Sequence, residues 1–253
     1  MTITNKKYFP EYQKQFGSRL REYIQKFDFN EKQIDLDYLT QVSAVYSSNI
    51  EGNSIDLNSY MNYKLARDKS YRTKEIEEIE TLVTAYQFAQ KNGLNEEHFL
   101  ECHRILSKTL LIESKRGKYR NEKVGVFGGA GLVYLALEPE FVAARMKEFF
   151  ENIQVLLDRE LNLEECFYFA SLIHLTLAHV HPFSDGNGRA VRLLEKWFLA
   201  EKRGEKFWKI PSEKYYKENR TRYYEDINLG VNYYELNYDN CLPFLSMLIE
   251  SLK

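Results

Sequence analysis

The chain has 253 residues, 44% of them hydrophobic, and a net charge of −2, enough to bury a sizeable core in one large domain with or without an extra helical layer. That balance excludes a disordered tail and gives no basic field to attract nucleic acid. Three scattered cysteines, Cys102, Cys166 and Cys241, fit neither a disulfide framework nor a thiolate zinc site. Residues 1–7 carry no apolar leader, and no run reaches the ~20 apolar residues that span a bilayer, so a cytoplasmic protein without a membrane partner is expected.

Taken in chain order, most segments repeat apolar residues at helical spacing. Residues 1–35 read as a helical N-terminal extension, and residues 36–253 as the main domain. Leu36, Leu39, Val42, Ala44 and Val45 mark a helix over 36–49. A second begins at a Thr73 cap, carries Ile76, Ile79, Val83, Tyr86 and Phe88, and stops near Asn92-Gly93. The alternating Lys/Glu run at 74–80 reads as its solvated face. Asn95 opens a helix with Phe99, Cys102, Ile105 and Leu106 on one side, and Pro139 opens another reaching about Leu157. Over 163–180, Cys166, Ala170, Ile173 and Leu177 form one stripe against a core. Residues 190–202 are helical again, with Leu193, Leu194, Trp197 and Phe198 inward. A Tyr-rich stretch follows, ending in an apolar helix over 242–252. Its pairs Tyr215-Tyr216, Tyr223-Tyr224 and Tyr233-Tyr234 suit helix–helix seams.

One segment departs from helical spacing. Residues 123–127 and 132–135 are β-prone and flank Gly128-Gly129-Ala130-Gly131, the pattern of a β-hairpin. The expected fold class is all-α, mainly helical, with this single hairpin.

The chemistry concentrates in His181-Pro182-Phe183-Ser184-Asp185-Gly186-Asn187-Gly188-Arg189-Ala190-Val191-Arg192. Pro182 ends the preceding helix and leaves His181 beside a loop. Gly186, Asn187 and Gly188 tolerate positive φ, so their N–H groups can form an anion nest that leads into the orphan donors of the next helix. Arg189 and Arg192 lie on one face of its first turn, against the macrodipole, which suits an anion site better than a purely structural one. Asp185 is a lone carboxylate of the kind that holds Mg²⁺ together with phosphates and water. His174 and His181 share a helix face and His179 points nearly opposite, which rules out a shared three-His site. His174 reads as a packed or supporting residue, and His98 and His103 as structural.

Residues 181–189 resemble the Fic family motif His-Pro-Phe-x-Asp/Glu-Gly-Asn-Gly-Arg at every defined position, and Arg192 matches the second arginine often found three residues on. The resemblance implies a Fic fold over about 36–250 and a protein adenylyltransferase that moves AMP from ATP to a hydroxyl of a target protein. By it, His181 is the general base, Asp185 holds Mg²⁺ (or Mn²⁺), Gly186, Asn187 and Gly188 bind the α- and β-phosphates, and Arg189 and Arg192 take the distal phosphates. The hairpin, about 123–135, becomes a flap along which the target docks by β-augmentation. Self-modification and a homo-oligomer both stay open.

Ser47-Ser48-Asn49-Ile50-Glu51-Gly52 matches the family's inhibitory pattern, Ser/Thr-x-x-x-Glu followed by Gly or Asn. The resemblance implies that Glu51, at the end of an inhibitory helix over about 36–51, pairs with Arg192 and blocks the γ-phosphate. Read alone, Glu51 and Gly52 are an ordinary helix C-terminus, where a carboxylate opposes the macrodipole. Two other functions use the same residues: removal of AMP with Glu51 orienting a water, and non-catalytic nucleotide sensing. A sensor has no need of the base His181.

Overall fold

The computed structural model describes residues 3–27, 29, 35–66, 73–128 and 131–253. In chain order the helices are α1 (Phe9–Lys26), α2 (Leu36–Ile50), α3 (Leu57–Leu65), α4 (Lys74–Ala89) and α5 (Glu96–Leu106), followed by the hairpin β1 (Gly125–Gly128) and β2 (Gly131–Leu135). Then come α6 (Pro139–Asp158), α7 (Leu163–Val180), α8 (Asn187–Arg203), α9 (Ser212–Glu218), α10 (Arg220–Ile227) and α11 (Leu242–Glu250). The expected class, mainly helical with one antiparallel hairpin, is what the chain adopts. No helix among the described residues is long and apolar enough to cross a membrane.

α7 is the central element. A capping box starts it: Asn162 Oδ1 accepts from Glu165 N–H, and the Glu165 carboxylate accepts from Asn162 N–H, each at 2.9 Å. The stripe expected from its spacing understates its burial, because α1, α8 and α11 all pack on it and nearly every residue from Cys166 to Leu177 is buried. A helix apolar nearly all round belongs inside. α1 joins this core through Phe9 and Tyr12, whose rings meet Tyr168 edge-on at 5.3 Å. All three cysteines are buried free thiols.

α8 begins at Asn187, three residues before its apolar pattern, because Gly186 at φ 81° serves as N-cap. α2 lies among α4, α8 and α9. In the hairpin, Gly125 pairs with Leu135 and Val126 with Tyr134, and a bulge then puts Phe127 opposite Leu132. The tip residues Gly129 and Ala130 lie outside the described residues, as do residues 1–2, 28 and 30–34 of the N-terminal extension. β2 is also held from its other side, where Leu135 N–H donates to Val231 O at 2.9 Å.

Candidate active site

The site forms where α7 stops and α8 starts. Each last carbonyl of α7 has a partner. Leu177 O accepts from His181 N–H at 2.9 Å, and His179 O accepts from the Tyr134 hydroxyl at 2.7 Å. Val180 O and His181 O both accept from the Arg120 guanidinium, at 3.3 and 2.7 Å. His181 itself is left-handed, φ 51° and ψ 60°, the one non-glycine residue with positive φ among the described residues. Its ring lines a cleft of about 620 Å³. Burial pushes its pKa down to about 4, helped by the Arg120 cation and opposed by a hydrogen bond to the Ala178 backbone and by Glu51 and Asp185. The imidazole is therefore neutral near pH 7, with a nitrogen free to accept a proton.

The turn to α8 is fixed by its own side chains. Asn187 is 5% exposed; its Oδ1 accepts from Phe183 N–H and its Nδ2 donates to Phe183 O, each at 2.9 Å. Both ends of that amide are thus spent on the loop, and only the Asn187 backbone faces the cradle. Asp185 is exposed, and its Oδ1 accepts from Gly186 N–H at 2.6 Å. A single hard carboxylate with its second oxygen uncommitted fits an ion that draws its other ligands from phosphate and water. Among the described residues no cluster of three or more His, Cys, Asp or Glu forms a metal site.

No side chain caps α8, so its first N–H groups make an anion site. A carboxylate from another helix lies against it. A Cβ on Gly188 would sit 2.1 Å from Glu51 Oε1, so only glycine leaves room for that group. Arg192 Nη2 donates to the same Oε1 at 2.7 Å and to Ser47 O at 2.9 Å, while its Nε donates to Ser47 Oγ at 2.9 Å. Burial opposes the charge on Glu51, yet Arg192 and then Arg189 hold its carboxyl below the usual range. The Arg192 pKa is raised: burial works against it, and Glu51 more than compensates.

α2 ends in a Schellman motif that aims Glu51. Asn53 N–H donates to Ser48 O and Gly52 N–H to Asn49 O, both at 3.1 Å, with Gly52 at φ 100°. Arg220 Nε and the Tyr224 hydroxyl then donate to Ile50 O, at 2.8 and 3.2 Å. Ser47, Glu51, His181, Gly188 and Arg192 thus come together.

Arg189 goes elsewhere. Its Nε and Nη2 donate to Glu78 Oε1 at 3.0 and 2.6 Å, and Glu78 is 12% exposed. The Lys/Glu run on α4 is therefore not wholly a solvated face, since Glu78 turns inward to hold an arginine of the motif. Periodicity missed it because a charge pattern does not reveal which acid meets a cation from a distant helix.

The partners of other residues were hidden for the same reason. His103 accepts from Gly117 N–H at Nδ1, so its Nε2 carries the proton and donates to Asp185 O at 2.9 Å. Its ring stacks on Phe183 at 3.5 Å and 5°. Burial lowers its pKa to about 4. His103 is structural, as expected, and what it supports is the site loop. His174 is fully buried; its Nε2 pairs with the Tyr223 hydroxyl at 2.9 Å, and its Nδ1 lies 3.1 Å from Glu195 Oε1, outside hydrogen-bonding geometry. His179 turns the other way, to Tyr238 and Ile227 O. Tyr216 and Tyr223 form a seam, with ring centroids 5.0 Å apart, but Tyr223 and Tyr224 also line the cleft, with Val126, Thr221, Ile227 and Asn228.

A helical bundle with a hairpin over an anion cradle, beside a neutral histidine, defines a recognisable class. Residues 93–199 match the family model described as Fic/DOC family. The chain is 29% identical over 200 residues to the protein adenylyltransferase Fic of Culex quinquefasciatus, an alignment covering 73% of this chain and 36% of that protein. To the protein of the same name from Drosophila melanogaster it is 30% identical over 199 residues, with the same coverage. It thus spans about a third of the length of these curated relatives. Among solved structures, a Fic family protein from Desulfovibrio desulfuricans superposes with a TM-score of 0.76 at 20% identity, covering 95% of this chain and 71% of that one. A Fic domain containing signaling protein from Bacteroides thetaiotaomicron gives 0.69 at 21% identity, covering 95% of each chain. The chain carries a Fic/DOC-family domain.

Proposed function

We propose that this chain is a protein adenylyltransferase held in check by its own α2. The observation that carries the reading is the Glu51 carboxylate lying on the bare N-terminus of α8, paired with Arg192 and beside a neutral His181. A group built to bind anions is here filled by an internal one. The name borne by its relatives, protein adenylyltransferase Fic, supports the same activity.

In the proposed reaction the target's hydroxyl oxygen attacks the α-phosphorus of ATP. His181 takes the hydroxyl proton, the new O–P bond forms, and the bond to pyrophosphate breaks with its electron pair leaving on that group. The N–H groups of Gly186, Asn187 and Gly188 would hold the α- and β-phosphates, and Arg192, once released from Glu51, a distal phosphate. Arg189 is already paired with Glu78, so it serves the cradle first through its charge. Mg²⁺ on Asp185 would neutralise phosphate charge. The hairpin would present the target's main chain, and the buried thiols suit a reducing compartment such as the cytosol.

Glu51→Gly should raise AMP transfer by about 5- to 150-fold, the range of a coupling free energy of ~1–3 kcal/mol. Labelled ATP, with self-modification or host lysate as acceptor, measures it. Equal signals from both proteins would remove the inhibitory role. His181→Ala in the same background should abolish transfer and keep nucleotide affinity; transfer that survives it would exclude the proposed base.

A further inference from the structure

The geometry points to Arg120 as a positioning residue that references the catalytic histidine and the hairpin to a single planar group, an inference that rests on the transferase reading above. Arg120 is 3% exposed and stands just before the hairpin. Its Nε donates to His181 O at 2.7 Å, and its Nη2 to Val180 O at 3.3 Å and Leu137 O at 2.5 Å. Its Nη1 donates to Glu122 O at 2.8 Å, and its backbone N–H to Pro182 O at 2.9 Å. All five acceptors are backbone carbonyls. A buried guanidinium satisfied in this way, with no carboxylate in hydrogen-bond contact, is costly to desolvate and so is rarely a mere filler.

The four acceptors of the guanidinium fall into two groups. Val180 O and His181 O belong to the two peptide units on either side of the His181 Cα. Holding both planes fixes φ and ψ of that residue, and with them the direction in which its side chain leaves the backbone. A left-handed L-residue is strained and persists only when its surroundings impose it; the fork of Arg120 is part of that imposition. Glu122 O and Leu137 O are the other group, one on each stem of the hairpin. The Tyr134 hydroxyl, donating to His179 O, ties β2 to the same last turn of α7. The element that would present the acceptor hydroxyl and the base that would deprotonate it are therefore set in register by one side chain. Lysine cannot reproduce this, because its point charge lacks the planar fork.

The test uses the Glu51→Gly protein as parent and adds Arg120→Lys or Arg120→Gln. ATP affinity, AMP transfer at saturating ATP, and amide hydrogen exchange over residues 122–137 and 180–183 are measured. We expect ATP affinity within about twofold of the parent and transfer lower on the order of a hundredfold, the cost of misplacing reacting groups by about 1 Å. Exchange should rise in both segments together. In an Arg120→Gly protein, methylguanidinium should restore part of the rate and methylammonium none. Parental transfer in the Arg120→Lys protein, equal rescue by the two cations, or exchange rising in one segment alone would overturn the inference. So would global unfolding of both the Lys and Gln proteins, which would make the strap purely structural. A parent that transfers nothing defeats the transferase reading instead, and the exchange measurement still decides whether Arg120 couples the two segments.

Discussion

Gly188 shows how much can turn on one missing atom. Its hydrogen side chain lets the Glu51 carboxylate sit against the α8 N-terminus, and the same space is where a phosphate would have to approach. Gly188→Ala would therefore evict both anions. In the Glu51→Gly background we expect Gly188→Ala to cut transfer by more than about tenfold, through lost nucleotide affinity of at least ~1.4 kcal/mol. Titration with ATP checks it, and unchanged affinity would show that the phosphates bind elsewhere. The glycine was visible in the motif. Its occupant was implied only by resemblance, since residues 51 and 188 are far apart in the chain.

Between elements, the contact of α2 with α8 is a buried polar ladder. Ser43, Ser47 and Glu51 follow at four-residue steps on α2, and Arg192 and Lys196 are four apart on α8. Lys196 Nζ donates to Ser43 Oγ at 2.8 Å and to Glu213 Oε2 at 2.5 Å, and Glu213 Oε1 accepts from the Tyr86 hydroxyl at 2.7 Å. Lys196 is 2% exposed and the Glu213 side chain 0%. Lys196→Ala should cost about 3–5 kcal/mol, because it strands a carboxylate in the interior. Urea unfolding measures this; a loss below ~1 kcal/mol would mean that water or a shifted side chain reaches Glu213. With α2 tied at Ser43 as well as at its C-terminus, release of the proposed inhibition is expected to move Glu51 and its last turn, not the whole helix.

On the scale of the whole molecule, three histidines are kept neutral by burial. His103, His179 and His181 each have a pKa pushed down to about 4, against about 6.5 in an unfolded chain. Above pH ~6.5 neither state binds these protons, so the folded protein keeps its full stability. Between ~6.5 and ~4 the unfolded chain takes them up first, so stability falls as pH falls through that window. Thermal midpoints measured from pH 7.5 down to 4.5 should stay level at first and then drop, with linkage to more than one proton. A flat profile would mean that these rings are hydrated and titrate normally.

How much of this could be read in advance depended on range. Helix spacing, the hairpin and the motif from His181 to Arg192 are local patterns, set by backbone periods and by what glycine, proline and asparagine permit within a few residues. They sufficed to delimit α7 and to find the turn that leads from it into α8. The partners of those residues were not local: Glu78 for Arg189, His103 for Asp185, Arg120 for His181. Each of these pairs lies 61 or more positions apart in the chain, and a charged or aromatic residue carries no mark of which distant backbone it will meet. That choice belongs to helix packing, which converges these side chains on one turn because a buried donor or acceptor must find a partner there.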